Sequence, residues 1–178
     1  MALKIAQLGQ PILRERAEEV EVETIRSSDF QAFVEAMTET MRAAGGVGLA
    51  GPQVFAKARI FIASVLPPER QGDKARPEAF INPRLSELSA EKESAWEGCL
   101  SFLELQVYVP RHKSLRIDYL DKQGRKQTLR LSGFAARVVQ HEYDHLEGIL
   151  TIDRAVTTKN IVKTSEVDAA TPYLEELR

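Results

Sequence analysis

The sequence predicts an α+β fold in which antiparallel or mixed β-sheets pack around a central helix, with one further helix nearer the N-terminus. Two segments have the apolar spacing of amphipathic helices, and several segments of strand character lie between them. Strands and helices do not alternate regularly, which argues against a parallel βαβ architecture. The length of 178 residues favours a single domain over residues 1–178, with a tail from about 154 to 178 whose role the sequence does not indicate.

The first predicted helix runs from about Ser28 to Ala44. Ser28, with Gln31 three residues later, has the pattern of a capping box, and Gly45-Gly46 ends the run. Apolar residues recur along it at helical spacing, namely Phe30, Phe33, Val34, Met37, Met41 and Ala44. We therefore expect an amphipathic helix that packs on the core.

Segments of strand character follow this helix. The apolar run Arg59–Leu66 predicts a buried strand that ends at Pro67-Pro68. The polar segment Gln71–Glu78 predicts a loop, and Phe80–Pro83 begins a further extended stretch.

Two more strands are predicted over Gln106–Pro110 and Leu115–Leu120. Asp121–Gly124 then predicts a turn into Lys126–Leu131, so that the last two strands form a hairpin. His112 lies at a predicted strand start between two basic residues, so we expect it to be exposed and assign it no role.

The second predicted helix covers Phe134–Glu147, with Ser132 as N-cap and Gly148 as its end. Along it, one stripe is formed by Phe134, Val138, His141 and His145. Because this stripe is partly apolar, both histidines are expected to face the interior of the protein.

Composition and charge narrow the class of protein. Hydrophobic residues make up 43% and charged residues 28%, which argues against a disordered or membrane-embedded chain. A formal net charge of −2 gives no sign of a nucleic-acid or anionic-membrane partner. The N-terminal residues resemble neither a signal peptide nor a transit peptide, and a single cysteine excludes an intrachain disulfide. These features favour a cytoplasmic location.

The strongest indication of chemistry is the motif His141-Glu142-Tyr143-Asp144-His145. Histidines four positions apart on a helix lie on the same face, so both imidazoles can reach one metal ion. A glutamate after the first histidine is the general acid/base of many metal hydrolases. The alternative is a solvated surface helix, but the apolar residues on the same stripe argue against it.

A catalytic ion needs a third protein ligand besides two histidines. Thr151 occupies the position of the third histidine in the pattern HExxHxxGxxH, which therefore does not apply. The glutamates after Gly148, at positions 166, 175 and 176, lie in a segment without a buried helix face. Cys99 remains, and a thiolate with two imidazoles suits Zn²⁺ or Fe²⁺. A lone cysteine is also commonly a small buried hydrophobe, so this assignment stays open.

A glycine-rich segment, Gly45–Gln53, follows the first helix. It lacks the lysine and serine or threonine of a phosphate-binding loop. Its glycines would instead let a substrate backbone approach closely, and Gln53 could donate its amide N–H to a developing oxyanion. A helix C-cap followed by a turn explains only the first two glycines.

Three of these segments resemble signatures of the peptide deformylase family, which are GxGLAAPQ, EGCLS and QHExDHLxG in that order. The corresponding residues are Gly46–Gln53, Glu97–Ser101 and Gln140–Gly148, and Gly9–Arg14 is similar to the family's N-terminal segment. The resemblance extends from about Leu3 to Asp153.

The resemblance implies an activity, the removal of the formyl group from N-formylmethionine at the start of nascent polypeptides. It implies that Cys99, His141 and His145 hold the metal, that hydroxide on the metal attacks the formyl carbon, and that Glu142 shuttles the proton. The peptide cleft would then be lined by Gly46, Val47, Gly48, Glu97, Phe134 and Val138.

The resemblance also implies that the side chain of Gln53 and the backbone N–H of Leu100 stabilise the oxyanion. Fe²⁺ is the metal that family members typically use, and Zn²⁺, Ni²⁺ or Co²⁺ can replace it. The family pattern further suggests that Asp144 orients the site through Arg111. The expected partner is an N-formylmethionyl peptide, including nascent chains at the ribosome, with no nucleic acid and no membrane.

The chain departs from the family pattern in three places. Gly51 replaces the usual alanine, a change that we expect to be tolerated. Phe102–Gln106 replaces a proline-containing segment and lacks a pocket arginine, so substrate preference is open. The tail after Asp153 is not the basic helix with which some members contact the ribosome, and we expect no ribosome docking through it. A metallopeptidase and a homologue that binds without turnover remain the alternatives.

Overall fold

The structure is a computed structural model that describes residues 2–65 and 77–175. The described residues form eight β-strands and four α-helices, together with short 3₁₀ helices. The helices are α1 (Val22–Ile25), α2 (Ser28–Ala43), α3 (Gly133–Leu146) and α4 (Val167–Glu175). The strands are β1 (Gly48–Ala50), β2 (Ile60–Ala63), β3 (Glu78–Ser86), β4 (Lys92–Gly98), β5 (Leu105–His112), β6 (Ser114–Leu120), β7 (Lys126–Ser132) and β8 (Ile161–Lys163). The predicted α+β fold class is confirmed.

The strands form two antiparallel sheets with α3 between them. One sheet has five strands in the order β1-β2-β3-β6-β7, and the other has three in the order β4-β5-β8. On one side of α3, Val139 and Leu146 belong to a core cluster that also contains Phe61 and Phe80 of the larger sheet. On the other side, Arg137 donates a hydrogen bond to a backbone carbonyl of β5 at 2.9 Å. The helix that carries the histidines is therefore central, as expected.

The N-cap of helix α2 lies one residue before the predicted cap. The hydroxyl of Ser27, not that of Ser28, accepts a hydrogen bond from the backbone N–H of Phe30 at 3.2 Å. Gln31 does not close a capping box, because its amide donates to the carbonyl oxygens of Ile25 and Lys122 at 2.6 and 2.7 Å. Two adjacent serines cannot be distinguished as caps by spacing alone, which explains the error.

Helix α3 matches its prediction closely, except at its first turn. Ser132 is the N-cap residue, although its side chain makes no capping hydrogen bond, and Gly148 with φ 71° lies just beyond the end. His145 and Val138 are buried, as the stripe predicted. Phe134, at the start of the same stripe, is 65% exposed. The helix begins at the mouth of a cleft, where its first turn faces solvent.

The predicted strands and hairpin are present with shifted ends. Strand β2 is shorter than the predicted Arg59–Leu66, and β3 extends the predicted Phe80–Pro83 at both ends. The predicted hairpin forms, with Leu120 of β6 paired to Lys126 of β7. Leu66, Pro67-Pro68 and most of the predicted loop Gln71–Glu78 lie outside the described residues, but Glu78 itself begins β3.

Five of the helices and strands were absent from the sequence prediction, and one of them is the four-residue helix α1. Strand β1 has three residues and begins with a glycine, and β4 is a polar edge strand, so neither has the apolar alternation that indicates a strand. Strand β8 and helix α4 form the tail, where Pro172 interrupts the helical pattern. No helix within the described ranges is long and apolar enough to span a bilayer.

Candidate metal and catalytic site

Cys99, His141 and His145 come together, although the first histidine lies 42 positions after the cysteine in the sequence. Their ligand atoms all lie within 4.8 Å of one another, and Cys99 Sγ is 3.3 Å from His145 Nε2. Cys99 and His145 are buried, and the side chain of His141 is 11% exposed. One thiol and two imidazoles form a donor set that fits Zn²⁺ or Fe²⁺.

The thiol of Cys99 is held in a network of donors just beyond the end of β4. The backbone N–H of Ser101 is 3.5 Å from Cys99 Sγ, and Gln53 Nε2 is 3.6 Å from it. These two contacts fix the position of the sulfur beside His145.

Glu97 is the carboxylate that orients His141. Glu97 Oε2 is 3.0 Å from His141 Nδ1, and Arg111 donates to both carboxylate oxygens at 3.0 Å. Arg137 Nη1 donates to Glu97 Oε1 at 2.7 Å. Because Nδ1 of His141 is occupied by Glu97, its Nε2 is the nitrogen available for a metal ion.

Burial acts to raise the pKa of Glu97, but the hydrogen bonds from His141 and Arg111 outweigh it and lower the pKa to about 2. Burial acts to lower the pKa of His141, but its contacts with Cys99 and Glu97 raise it well above the usual value. For His145, burial and then the charge of His141 lower the pKa well below the usual value. The neutral form of His145 that ligates a metal is therefore favoured.

Asp144 supports this network from the opposite end. Arg111 Nη1 donates to Asp144 Oδ2 at 2.5 Å, which confirms the expected contact between these two residues. Arg154 adds two hydrogen bonds to the same carboxylate, at 3.0 and 2.6 Å. A continuous chain of hydrogen bonds therefore runs from Asp144 through Arg111 and Glu97 to His141.

Glu142 is buried beside His141 on the same helix. Burial raises its pKa to about 7, which is the range required of a group that exchanges protons near neutral pH. Its Oε2 has no hydrogen-bond partner among the residues that the structure describes. A Cβ at Gly48 would lie 2.2 Å from Glu142 Oε1, so the glycine provides the space that this carboxylate occupies. An unpartnered buried oxygen of this kind is available to accept a proton.

Gln53 lies in a 3₁₀ helix, Gly51–Val54, directly after β1. Its Oε1 accepts a hydrogen bond from the backbone N–H of Ala50 at 2.9 Å, which fixes the orientation of the amide. Its Nε2 consequently faces Ser101 Oγ at 3.2 Å and the sulfur of Cys99. Leu100 lies on the same side of the site, and a Cβ at Gly46 would be 2.8 Å from its Cδ1.

A cleft of about 310 Å³ opens over these groups. The residues expected to bind peptide all lie along it, namely Gly46, Val47, Gly48, Glu97, Phe134 and Val138. The carboxylate of Glu97, however, is engaged by His141 and two arginines, so its contacts are within the protein. The cleft is also lined by residues that the sequence analysis did not identify, among them Trp96, Leu103, Gln106 and Arg137.

Two other positions differ from expectation. His112 is half-buried at the end of β5, with Nδ1 2.5 Å from the carbonyl oxygen of Ser89, so its predicted exposure is wrong. Arg137 was overlooked, although it lies four residues before His141 and thus on the same helix face. That spacing is a signal that could have identified it.

Comparison with known proteins agrees with this geometry. The family model described as polypeptide deformylase matches residues 2–160. "Peptide deformylase 2" of Nostoc sp. is 39% identical over 166 residues, which cover 92% of each chain. "Peptide deformylase" of Thermotoga maritima is 41% identical over 159 residues, which cover 89% of this chain and 90% of that protein.

Solved structures show the same similarity. The crystal structure of peptide deformylase from Thermotoga maritima has a TM-score of 0.78 and 40% identity, covering 88% of this chain and 99% of that one. The Met-Ala-Ser-bound class I type b peptide deformylase of Acinetobacter baumannii has a TM-score of 0.80 and 35% identity, covering 86% of this chain and 98% of that one. The chain belongs to the peptide deformylase family.

Proposed function

We propose that this chain removes the N-formyl group from peptides that begin with N-formylmethionine, including nascent polypeptides, and releases formate. The observation that carries the proposal is the cluster of Cys99, His141 and His145, of which Cys99 and His141 line the cleft together with the buried carboxylate of Glu142. The relative from Acinetobacter baumannii binds Met-Ala-Ser, which is the product that deformylation of formyl-Met-Ala-Ser would leave.

The reaction depends on a metal ion held by Cys99, His141 and His145. The thiol and two imidazoles fit Fe²⁺, with Zn²⁺, Ni²⁺ or Co²⁺ as replacements, better than ions that prefer oxygen ligands. When bound, such an ion would supply Lewis acidity, which polarises a carbonyl group and lowers the pKa of water. The chain's own residues then determine where protons go and how the peptide is held.

Glu142 moves the proton. With a pKa of about 7, it accepts a proton from the attacking water at its unpartnered Oε2 and then donates it to the departing amine. The oxygen of water becomes bonded to the formyl carbon, the carbon–nitrogen bond breaks, and formate and a free amino group result. One carboxylate serves both steps because it returns to its starting protonation state.

Gln53 and Leu100 stabilise the negative charge that develops on the formyl oxygen. The amide of Gln53 is already oriented by the backbone of Ala50, so it need not reorganise as the charge appears. The backbone N–H of Leu100 is the second donor. Because the surroundings are buried, each such hydrogen bond is stronger than it would be in water.

The peptide lies in the cleft between β1 and α3. Gly46, Val47 and Gly48 form one side, and Phe134 and Val138 form the other. Glu97 contributes indirectly, by holding His141. We further propose that both sheets form one catalytic domain, because Gln53 follows β1 of the larger sheet and Cys99 follows β4 of the smaller one.

The test is formate release from formyl-Met-Ala-Ser by the metal-loaded protein, with Glu142→Gln as the matched control. We expect release by the wild type, and a decrease of about 10²–10⁴-fold in the variant that loses the acid/base group. Equal release by both proteins would refute the role of Glu142. Cleavage of an acetylated peptide at an internal bond, without formate release, would instead favour a metallopeptidase.

A further inference from the structure

The C-terminal segment Ile161–Glu175 packs against one wall of the cleft. Strand β8 pairs with β5, opposing Lys163 to Leu105 and Val162 to Gln106, and α4 follows it. The match to the family model ends at residue 160, so this segment lies outside what the family model describes.

The first contact is made by Thr164. Its backbone N–H donates to the carbonyl oxygen of Glu104 at 2.9 Å, and its hydroxyl donates to the carbonyl oxygen of Leu103 at 3.0 Å. Leu103 lines the cleft and is 64% exposed. Thr164 therefore holds the turn at residues 102–104 in place. This turn lies in the segment that departs from the family's signature.

The second contact is made by Thr171 of α4. Trp96 Nε1–H donates to Thr171 Oγ1 at 2.8 Å, while the same hydroxyl donates its own proton to the carbonyl oxygen of Val167 at 2.7 Å. The threonine oxygen is therefore oriented as an acceptor for the indole. Trp96 lines the cleft, and its ring packs against Tyr108 with centroids 5.2 Å apart.

Strand β4 depends on such support because it is an edge strand that pairs with β5 alone in its sheet. It carries Trp96 into the cleft wall and leads directly to Glu97 and Cys99. Strand β5 pairs with one edge of β4, and Thr171 of α4 holds Trp96 by a hydrogen bond. This wall of the cleft therefore has fewer accessible conformations. Preorganisation of this kind increases affinity for a ligand without adding contacts to it.

We propose that the segment Ile161–Glu175 shapes the substrate cleft, with Thr164 and Thr171 as positioning residues that fix the Leu103 turn and Trp96. This inference rests on the proposed function and concerns how that site binds peptide. The segment touches neither Glu142 nor Gln53 through these contacts, so its loss should weaken peptide binding and leave the chemical step intact.

The experiment measures formate release by three variants of the full, metal-loaded chain. They are Thr164→Val, Thr171→Val and the double variant. Valine has nearly the shape of threonine but lacks the hydroxyl. We expect KM for formyl-Met-Ala-Ser to rise at least threefold in each single variant and about tenfold in the double variant, with kcat within twofold of the wild type. Thr158→Val, at an exposed position in the same region, is the matched control, and Thr171→Ser should restore the wild-type KM. An unchanged KM in the double variant, or a fall in kcat alone, would overturn the proposal.

A binding measurement separates this inference from the proposed function. Trp96 is the only tryptophan in the sequence, so its fluorescence reports on this wall during titration with Met-Ala-Ser. We expect the Kd of Met-Ala-Ser to rise in Thr171→Val by the same factor as KM, and an equal Kd would contradict the proposal. If the wild type released no formate, the proposed function would fail, and the Kd comparison would still decide this inference.

Should Thr171→Val fail to fold, Trp96→Phe supplies an independent test, because it keeps an aromatic ring but loses the indole N–H. We expect Trp96→Phe to raise KM at least threefold, and an unchanged KM would overturn the assignment. Where Thr171→Val does fold, the double variant should show no more than the larger single effect, since both substitutions remove the same hydrogen bond. Additive effects of the two substitutions would overturn the assignment.

Discussion

At the scale of single residues, Gln53 shows how an amide can be oriented before a substrate arrives. Its carbonyl oxygen is held by the backbone of Ala50, which turns its Nε2 toward the site. We expect Gln53→Leu to reduce kcat by about 10²–10³-fold, because one donor to the oxyanion is lost. Metal content should be unchanged, since Gln53 is not a ligand. Formate release at saturating substrate measures the effect, and a kcat within twofold of the wild type would contradict this role.

We propose that Glu97 acts on the metal through its contact with His141 rather than on the peptide. In Glu97→Gln the hydrogen bonds that hold Nδ1 of His141 weaken, so we expect the affinity for Zn²⁺ to fall by about 10–100-fold. Competition with a chromophoric chelator measures this affinity. Glu93→Gln, an exposed position on the same strand, is the control and should have no effect. Equal affinities of the two variants would show that Glu97 does not orient the ligand.

The sequence could identify a residue of the site only when its partners lie close to it along the chain. His141, Glu142 and His145 lie within one helical turn, so their spacing alone brings them together. Glu97 meets Arg137 and His141 only through the tertiary fold, 40 and 44 residues away. Its role could not be derived from spacing, and it was grouped with the peptide-binding residues.

At the scale of elements, Gly51 allows the 3₁₀ helix that carries Gln53 to pack closely on the chain ahead of β2. A Cβ at this position would lie 2.5 Å from the carbonyl oxygen of Ala58. The glycine replaces the alanine that is usual in the family, and the structure shows a close backbone contact at this position. We expect Gly51→Ala to lower the free energy of unfolding by about 1–3 kcal/mol, the cost of overpacking. Urea unfolding measures it, and an unchanged free energy would show that the backbone adjusts freely.

The β6–β7 turn depends on Asp121. Burial acts to raise the pKa of Asp121, but hydrogen bonds from the backbone and side chain of Arg125 and from the backbone N–H of Gln123 lower it below its usual value. A lowered folded-state pKa stabilises the protein above the unfolded value of about 3.9, and this contribution is lost as pH falls through the folded-state pKa.

Asp121→Asn removes the charge on which this contribution depends. We therefore expect its Tm to lie below that of the wild type at pH 7, with the difference shrinking as pH falls below about 4. Thermal unfolding followed by circular dichroism between pH 3 and 7 measures the difference. A gap that stays constant across this range would show that the charge of Asp121 is not responsible.

Elements with strong periodicity were predictable and irregular ones were not. Helices α2 and α3 and the β6–β7 hairpin have long apolar patterns with clear ends. Strands β1 and β4 lack such patterns, because one is a glycine-initiated strand of three residues and the other is polar. Both border the cleft, so two of the elements that were hardest to predict form part of its wall.

At the scale of the whole molecule, the site forms only because the tertiary structure brings separate parts of the chain together. Cys99 follows the smaller sheet, Gln53 follows the first strand of the larger sheet, and the histidines lie on α3. The N-terminal segment links two of these parts. The backbone N–H of Ala6 donates to the carbonyl oxygen of Gln53 at 2.7 Å, and that of Leu8 to the carbonyl oxygen of Ser101 at 2.9 Å. No motif in the sequence reveals this connection.

The most direct test of the account is formate release from formyl-Met-Ala-Ser as the metal is removed from one preparation and then restored. Catalysis is attributed to an ion held by Cys99, His141 and His145, so release should fall in proportion to metal content. Adding Fe²⁺ without oxygen should restore it to the wild type but not to Cys99→Ala. Full formate release by protein free of metal, or full restoration of the cysteine variant, would contradict the account.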